Sequence, residues 1–419
     1  MRIVPDRLQR ATTRGRSVNR TGVVAFLGAI VLVAAACSPA GGDSADGPAP
    51  APDESTAAPL ESPAAGLPDG PSALDDPNAA AFPEPLVPVD EIISGGPPPD
   101  GIPSIDDPVF VPVDGAAGLL DPAESVVVVD IDGDAKAYPV RVMVWHEIVN
   151  DTVGGVPVAI TYCPLCNSAV AYVREVRGVE TTFGTSGRLY ASALVMYDRA
   201  TESLWTHFDG KAVVGVLAGD ELEPVSAPLM AWQDFADVYP DGTVLDWTAT
   251  GFDRDYGSNP YVGYDDADTE PFLFRGPLDD RARAKQRVVG ISVGDEAVAY
   301  PLDSLAVGEA SVTPARVGSQ DLVIFWKAGQ SSALDTSSIS DGKDVGSVGV
   351  FVPTVDERTL TFVANGPDFV DEETGSAWTI AGTAVSGPLA GSRLQRIDHL
   401  DTFWFAWSTY RPGTTLVEG

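Results

Sequence analysis

Cys163 and Cys166 share the segment VAITYCPLCNSAVAY, residues 158–172 of a 419-residue chain that holds three cysteines in all. The C-x-x-C spacing lets both sulfurs reach one metal ion or close a tight disulfide. Pro164 stiffens the turn between them and removes one backbone donor. His146, in VMVWHEIVND, lies 17 residues before Cys163 and is one of three histidines. Two thiolates and one imidazole suit copper(I) in three-coordination, or zinc with a fourth position open. The expected metal ligands are therefore Cys163, Cys166 and His146. Glu147 or Asp151 is the expected acceptor for the second imidazole nitrogen. His207 is a second candidate. Met143 and Met196 could add sulfur, although methionine in an apolar run usually fills a core. His399 is assigned to structure.

Two further chemistries stay open to the same pair. C-P-x-C is also the motif of thiol–disulfide exchange in thioredoxin-like enzymes, where a lowered thiol pKa makes the first cysteine reactive. Those enzymes set the motif at a helix N-terminus, whereas Ser168–Tyr172 alternates like a strand. The third reading is a structural disulfide pinning a turn in an exported interaction protein. No G-x-S-x-G, P-loop, H-E-x-x-H or dinucleotide fingerprint occurs, and nothing signals a nucleotide or flavin. Ser186, in GTSG, reads as a turn residue. The sequence assigns no reaction, so whether the chain is an enzyme stays open.

The elements that must position these residues come in two copies. AKAYPV at Ala135–Val140 returns as AVAYPL at Ala297–Leu302, and DRATESLW at Asp198–Trp205 returns as DEETGSAW at Asp371–Trp378. GKAVVGVLAGDEL at Gly210–Leu222 returns as GTAVSGPLAGSRL at Gly382–Leu394, with eight of thirteen positions identical. Short β-branched and aromatic runs separated by DGD, VGG and FDG turns predict a mainly β fold with a few short helices, near Pro139–Val149 and Met230–Tyr239. The expected architecture is two pseudo-symmetric lobes, residues 85–250 and 288–419, joined by a connector at 251–287. A connector this long is expected to be functional or to pack across both lobes.

Duplication supplies an internal control, because features present in both copies serve the shared fold. Asp198 and Glu202 could be read as an acid/base pair, yet Asp198, Thr201, Ser203 and Trp205 all recur as Asp371, Thr374, Ser376 and Trp378. A hairpin lock explains them better. The cysteines do not recur. Alignment sets Gly308 against His146 and Glu309 against Glu147, and it is silent at His207, where the second copy is one residue shorter.

Ahead of the first copy, an Arg-rich start, an apolar run from Gly22 to Ala36 and Ala34-Ala35-Ala36-Cys37 form an export signal resembling a lipobox. Fifteen apolar residues are short for a membrane span, which needs roughly 20. Residues 1–36 are the expected signal peptide, Cys37 the lipidated residue, and 37–84 a disordered Pro/Ala/Gly-rich tether. The expected location is the outer side of a cell membrane, held by the lipid anchor. The chain carries 26 basic and 60 acidic residues, a net charge of −34, which excludes a nucleic-acid partner. Protein partners are not legible.

The segments GGPPPDGIPSIDDPVF (95–110), AYPVRVMVWHEIVND (137–151), TYCPLCNSAVAY (161–172), LVMYDRATESLW (194–205) and GFDRDYGSNPYVGYD (251–265) together resemble the bacterial DUF3179 proteins. The resemblance runs over roughly residues 86–418. It implies membership of a family without an assigned function, and so no chemistry of its own. The family often has Gly after the second cysteine, where this chain has Asn167; both thiols and His146 are kept.

Overall fold

A computed structural model describes residues 66–116 and 118–418. The expected signal segment, Cys37 and the tether as far as residue 65 lie outside the described residues. The apolar run Ser125–Ile131 forms a strand with Val126 to Val129 all buried, and the Asp132-Gly133 turn, at φ +54° and +90°, returns it as Asp134–Pro139. Positive φ at both turn residues is what a two-residue hairpin of matching twist requires. Pro139 closes the strand and opens the helix Val140–His146, which Glu147 ends in the left-handed conformation. A three-strand meander follows: Ile148–Val153, Val156–Cys163 and Ser168–Val173.

A second meander is built from Phe183–Tyr190, Ala193–Asp198, Leu204–Thr206 and Ala212–Val214. The chain then retraces its path. Pro224–Val225 pairs with Ser168–Val173, and Leu229–Ala231 pairs with Ser125–Ile131. After the helix Trp232–Val238, Thr243–Leu245 lies parallel to Asp134–Pro139.

The second copy repeats this order. Arg287–Val293 and Glu296–Pro301 form the hairpin; Ala310–Val317, Gln320–Lys327 and Ser347–Val352 form the first meander; Phe362–Asn365 to Ala384–Ser386 form the second. Gln395–Arg396, His399–Phe403, the helix Trp404–Tyr410 and the parallel strand Thr415–Leu416 complete it. The protein is mainly β, with four short α-helices among the described residues. None of them is long and apolar enough to cross a membrane.

The copies clasp each other through equivalent elements. Phe403 N–H and the Thr402 hydroxyl both donate to Cys166 O, at 3.1 and 2.7 Å. Reciprocally, Ala231 N–H donates to Ser347 Oγ at 2.9 Å, and Lys327 Nζ stands 2.6 Å from Asp234 Oδ1. The connector touches both copies: Asn259 and Gly263 donate backbone bonds to Ser337 O and Asp335 O of the second, and Tyr256 Oη lies 2.6 Å from His146 Nε2 of the first.

Residues 66–84, expected in the tether, pack instead on the first copy. Ala73 is fully buried with Tyr197, Leu204 and Val213, its N–H donates to Glu202 O, and Leu67 is buried as well. At Gly70 a Cβ would stand 2.2 Å from Val216 Cγ1, so any larger residue would have to displace that side chain. Small residues that cannot form their own core can still cover another.

The hairpin lock is present twice with the same bonds. Asp198 accepts from Thr201 N, Thr201 Oγ1, Ser203 N and Trp205 Nε1 at 2.7, 2.9, 3.2 and 2.9 Å. Asp371 accepts from Thr374 N, Thr374 Oγ1, Ser376 N and Trp378 Nε1 at 2.6, 2.9, 3.1 and 2.9 Å. Asp198→Ala leaves a buried indole N–H and two backbone donors unanswered and should cost about 2–4 kcal/mol in urea unfolding, while Glu202→Ala, next to the same lock, should cost under about 1 kcal/mol.

Candidate metal centre

Cys163 ends the Val156–Cys163 strand and faces Ser168 across a four-residue turn. Asn167 closes that turn at φ +50°, a conformation that Gly and Asn adopt most readily. Its side chain is used as well: Tyr162 O–H donates to Oδ1 and Nδ2 donates to Asp401 O. The turn folds Cys166 back over the strand end, with Sγ 2.9 Å from Ser168 Oγ.

The third group arrives from the neighbouring sheet. His207 follows the Leu204–Thr206 strand, is tied by its N–H to Leu194 O, and is fully buried. One ligand atom each from Cys163, Cys166 and His207 lies within 4.8 Å of the other two, and all three residues are buried. Both thiols are free.

A line of hydrogen bonds orients the imidazole. Thr161, two residues before Cys163, holds Nδ1 at 2.7 Å, and Ser168 Oγ lies 3.0 Å from Nε2. The Thr161 hydroxyl gives its one proton to Val170 O, so it accepts from Nδ1–H. That leaves the Nε2 lone pair aimed at Ser168 and, behind it, Cys166. Burial drives the His207 pKa down to about 3, so at neutral pH the ring is neutral, the form in which imidazole can bind a metal.

The two thiols are unlike. Burial raises the Cys163 pKa, but donation from the Cys166 thiol and from the N–H groups of Leu194, Cys166 and Leu165 outweighs it, and the net direction is down. Burial first, and then the neighbouring Cys163, push Cys166 well up. Cys163 is thus the first to ionise.

The second copy shows the same scaffold without the chemistry. Lys327 stands opposite Ser347 as Cys163 stands opposite Ser168. The four-residue turn is replaced there by residues 328–346. Two positions earlier, Phe325 takes the place of Thr161 and stacks on Phe369 at 4.2 Å. Counting from the locked tryptophans, His207 follows Trp205 by two and Ile380 follows Trp378 by two; Ile380 is buried in hydrocarbon.

The expectation at His146 is corrected. Its Nδ1 is 2.7 Å from Pro103 O and its Nε2 2.6 Å from Tyr256 Oη, with the Phe252 ring 4.9 Å away. These contacts lie away from the sulfurs, and the imidazole that comes within 4.8 Å of them is that of His207. Of the expected acceptors, Asp151 is held by Lys136 Nζ and Tyr138 O–H at 3.0 and 2.7 Å, and Thr161 serves His207 in its stead. Glu147 lies near the cluster without joining it; burial, then Cys163, raise its pKa well above the carboxylate range. Its backbone O accepts from Tyr162 N–H, while Ser311 holds the matching place opposite Trp326. Glu147 is therefore also particular to the first copy, contrary to its alignment with Glu309. Met143 and Met196 are both buried in apolar clusters, Met196 in that of the cysteines. His399 Nδ1 meets Ile397 O, and Ser186 Oγ donates to Val195 O, both local structural bonds.

A family model described as "Protein of unknown function (DUF3179)" matches residues 99–414. No curated protein and no solved structure matches the chain.

The depressed His207 pKa has a consequence for stability. An unfolded imidazole takes its proton near pH 6.5, the folded one near 3. As pH falls through that window the unfolded state binds a proton that the folded state refuses, and stability is lost by up to about 1.4 kcal/mol per pH unit. Urea titrations of metal-free protein between pH 7 and 4 should show this loss, and His207→Ile, which installs the residue of the second copy, should reduce its slope by one proton's share, the remainder coming from His146 and His399, whose pKa values burial also lowers.

Proposed function

The chain belongs to the DUF3179 family, and we propose that it is an exported, lipid-anchored protein whose Cys163, Cys166 and His207 hold one soft metal ion, copper(I) or zinc. The observation that carries the reading is the convergence of the three buried ligand groups within 4.8 Å. Cys163 is already biased toward thiolate and His207 toward neutral imidazole, the forms that ligate. Thr161 supports the ring as an acceptor on Nδ1, which leaves Nε2 as the ligating atom. Two thiolates and one imidazole complete a trigonal copper(I) site; zinc would keep a fourth position for water or substrate. The raised pKa of Cys166 makes its deprotonation the step that metal binding must drive, so affinity should rise with pH.

One observation favours thiol–disulfide chemistry as a second reading. The lowered Cys163 and raised Cys166 resemble an attacking thiol and its resolving partner. Against it, Ser168–Val173 after the motif is a strand, so no helix dipole faces the thiol.

The anchor rests on sequence. Arg2, Arg7, Arg10, Arg14, Arg16 and Arg20 precede the apolar run, and Ala34-Ala35-Ala36 leads to Cys37. Without those arginines the remainder is more acidic still, and such a surface is repelled by anionic lipid, so attachment needs a covalent lipid rather than charge.

Metal analysis and thiol titration on anaerobic protein lacking residues 1–37 separate the readings. Stoichiometric copper or zinc that is lost in Cys163→Ser, Cys166→Ser and His207→Ala, but retained in His146→Ala, is the expected outcome. Two metal-free thiols that cycle reversibly would establish the redox reading. For the anchor, Cys37→Ser should release the protein or leave it unprocessed; unchanged localisation and mobility would rule lipidation out.

A further inference from the structure

A cavity of about 570 Å³ opens beside the CPLC turn. Leu165 and Leu194 line its inner side, and Tyr261, Tyr264 and Phe272 of the connector form the facing wall. The volume suits a small organic ligand. The Glu147 carboxyl also lines it, on a residue only 8% exposed. Burial and the neighbouring Cys163 shift that carboxyl, and among the described residues no donor and no cation pairs with it. A buried acid without a partner stays protonated while the cavity is empty, and a cation brought from outside the chain would let it ionise.

The charges around the cavity decide what kind. Two cationic residues line it, and both are engaged elsewhere. Lys285 Nζ donates to Tyr264 O and stands 4.1 Å over the Tyr264 ring, under the influence of Asp265 and Asp266 rather than Glu147. Arg188 Nη2 donates to Leu74 O. At the mouth Glu270 is a second acid, and Val262 and Phe272 expose apolar surface at 60% and 49%. Acid at the floor and mouth with aromatic walls between favours a positively charged head on an apolar body, since tyrosine faces attract cations.

We infer that this cavity is a binding site for an organic monocation, an arylalkyl amine in chemical class, whose ammonium pairs with the Glu147 carboxylate as the carboxyl releases its proton to solvent, while its apolar body lies against Leu165, Leu194, Tyr261 and Tyr264. The site is distinct from the metal ligands and does not rest on the metal reading. It explains why a carboxyl stands unpartnered at a position where the second copy has Ser311, and why the connector exposes apolar side chains at the mouth.

The test uses three probes of one shape: 2-phenylethylamine, 2-phenylethanol and 3-phenylpropionate, titrated calorimetrically into full-length protein in a non-ionic detergent. The amine should bind about tenfold or more tighter than the alcohol, and the acid should not bind measurably. Glu147→Gln should bring the amine down to the alcohol. Phe272→Ala, on the exposed rim where the core is not at risk, should weaken amine and alcohol alike. Binding of the alcohol as tight as the amine, absence of amine binding, a preference that survives Glu147→Gln, or indifference to Phe272→Ala would each overturn the site. The urea unfolding midpoint and far-UV circular dichroism of Glu147→Gln, expected to remain those of a folded protein, report folding without reference to the metal.

Discussion

The carbonyl of Cys166 accepts from Phe403 N–H and from the Thr402 hydroxyl, and on this pair of bonds the geometry of the centre depends. A four-residue turn has little rigidity of its own. Here its apex is held by the opposite copy, so the position of both sulfurs is set by a strand more than 230 residues away in sequence. The same strand supplies Asp401, buried against Arg287, with Nη2 to Oδ2 at 2.5 Å, and contacted by Asn167. A buried ion pair is costly to break from one side, about 3–5 kcal/mol, because the remaining charge is left in low dielectric. The clasp therefore resists the local opening that would otherwise let the turn relax.

One scaffold carrying two kinds of interior shows what the polar network is for. Thr161, His207 and Ser168 occupy places that Phe325, Ile380 and Ser347 fill in the second copy, and there the interior packs as stacked rings. Hydrocarbon stabilises that position adequately, so stability alone does not require a buried imidazole. A fully buried histidine with a pKa near 3 works against the fold in acid.

The copies have divided the labour in another respect. In the second copy the tight turn has become the long excursion 328–346, which reaches back to the first: Ser331 N–H donates to Ala123 O, and Ser125 Oγ donates to Ser331 O. One turn carries the two thiols and the equivalent one braces the half that carries them. The connector adds a third contribution by walling the cavity beside Glu147.

Much of this was legible in the sequence. Alternating β-branched runs and Asp-Gly turns specify strands and hairpins through local sterics, and a repeat compared with itself separates the Asp198 lock from the cysteine turn. The thiol pair is local too, because three residues of spacing suffice to bring its sulfurs together. The choice between His146 and His207 was not local. His146 sits at the end of a short helix whose direction carries the ring toward Pro103 and Tyr256, while His207 reaches the sulfurs only because two sheets pack face to face. The register that sets Glu147 opposite Tyr162, and the Gly70 strap on Val216, likewise follow from cross-strand and inter-sheet contacts. Periodicity reports which face of an element is buried; which residue of another element meets it is decided by packing and backbone pairing over distances the linear pattern does not encode.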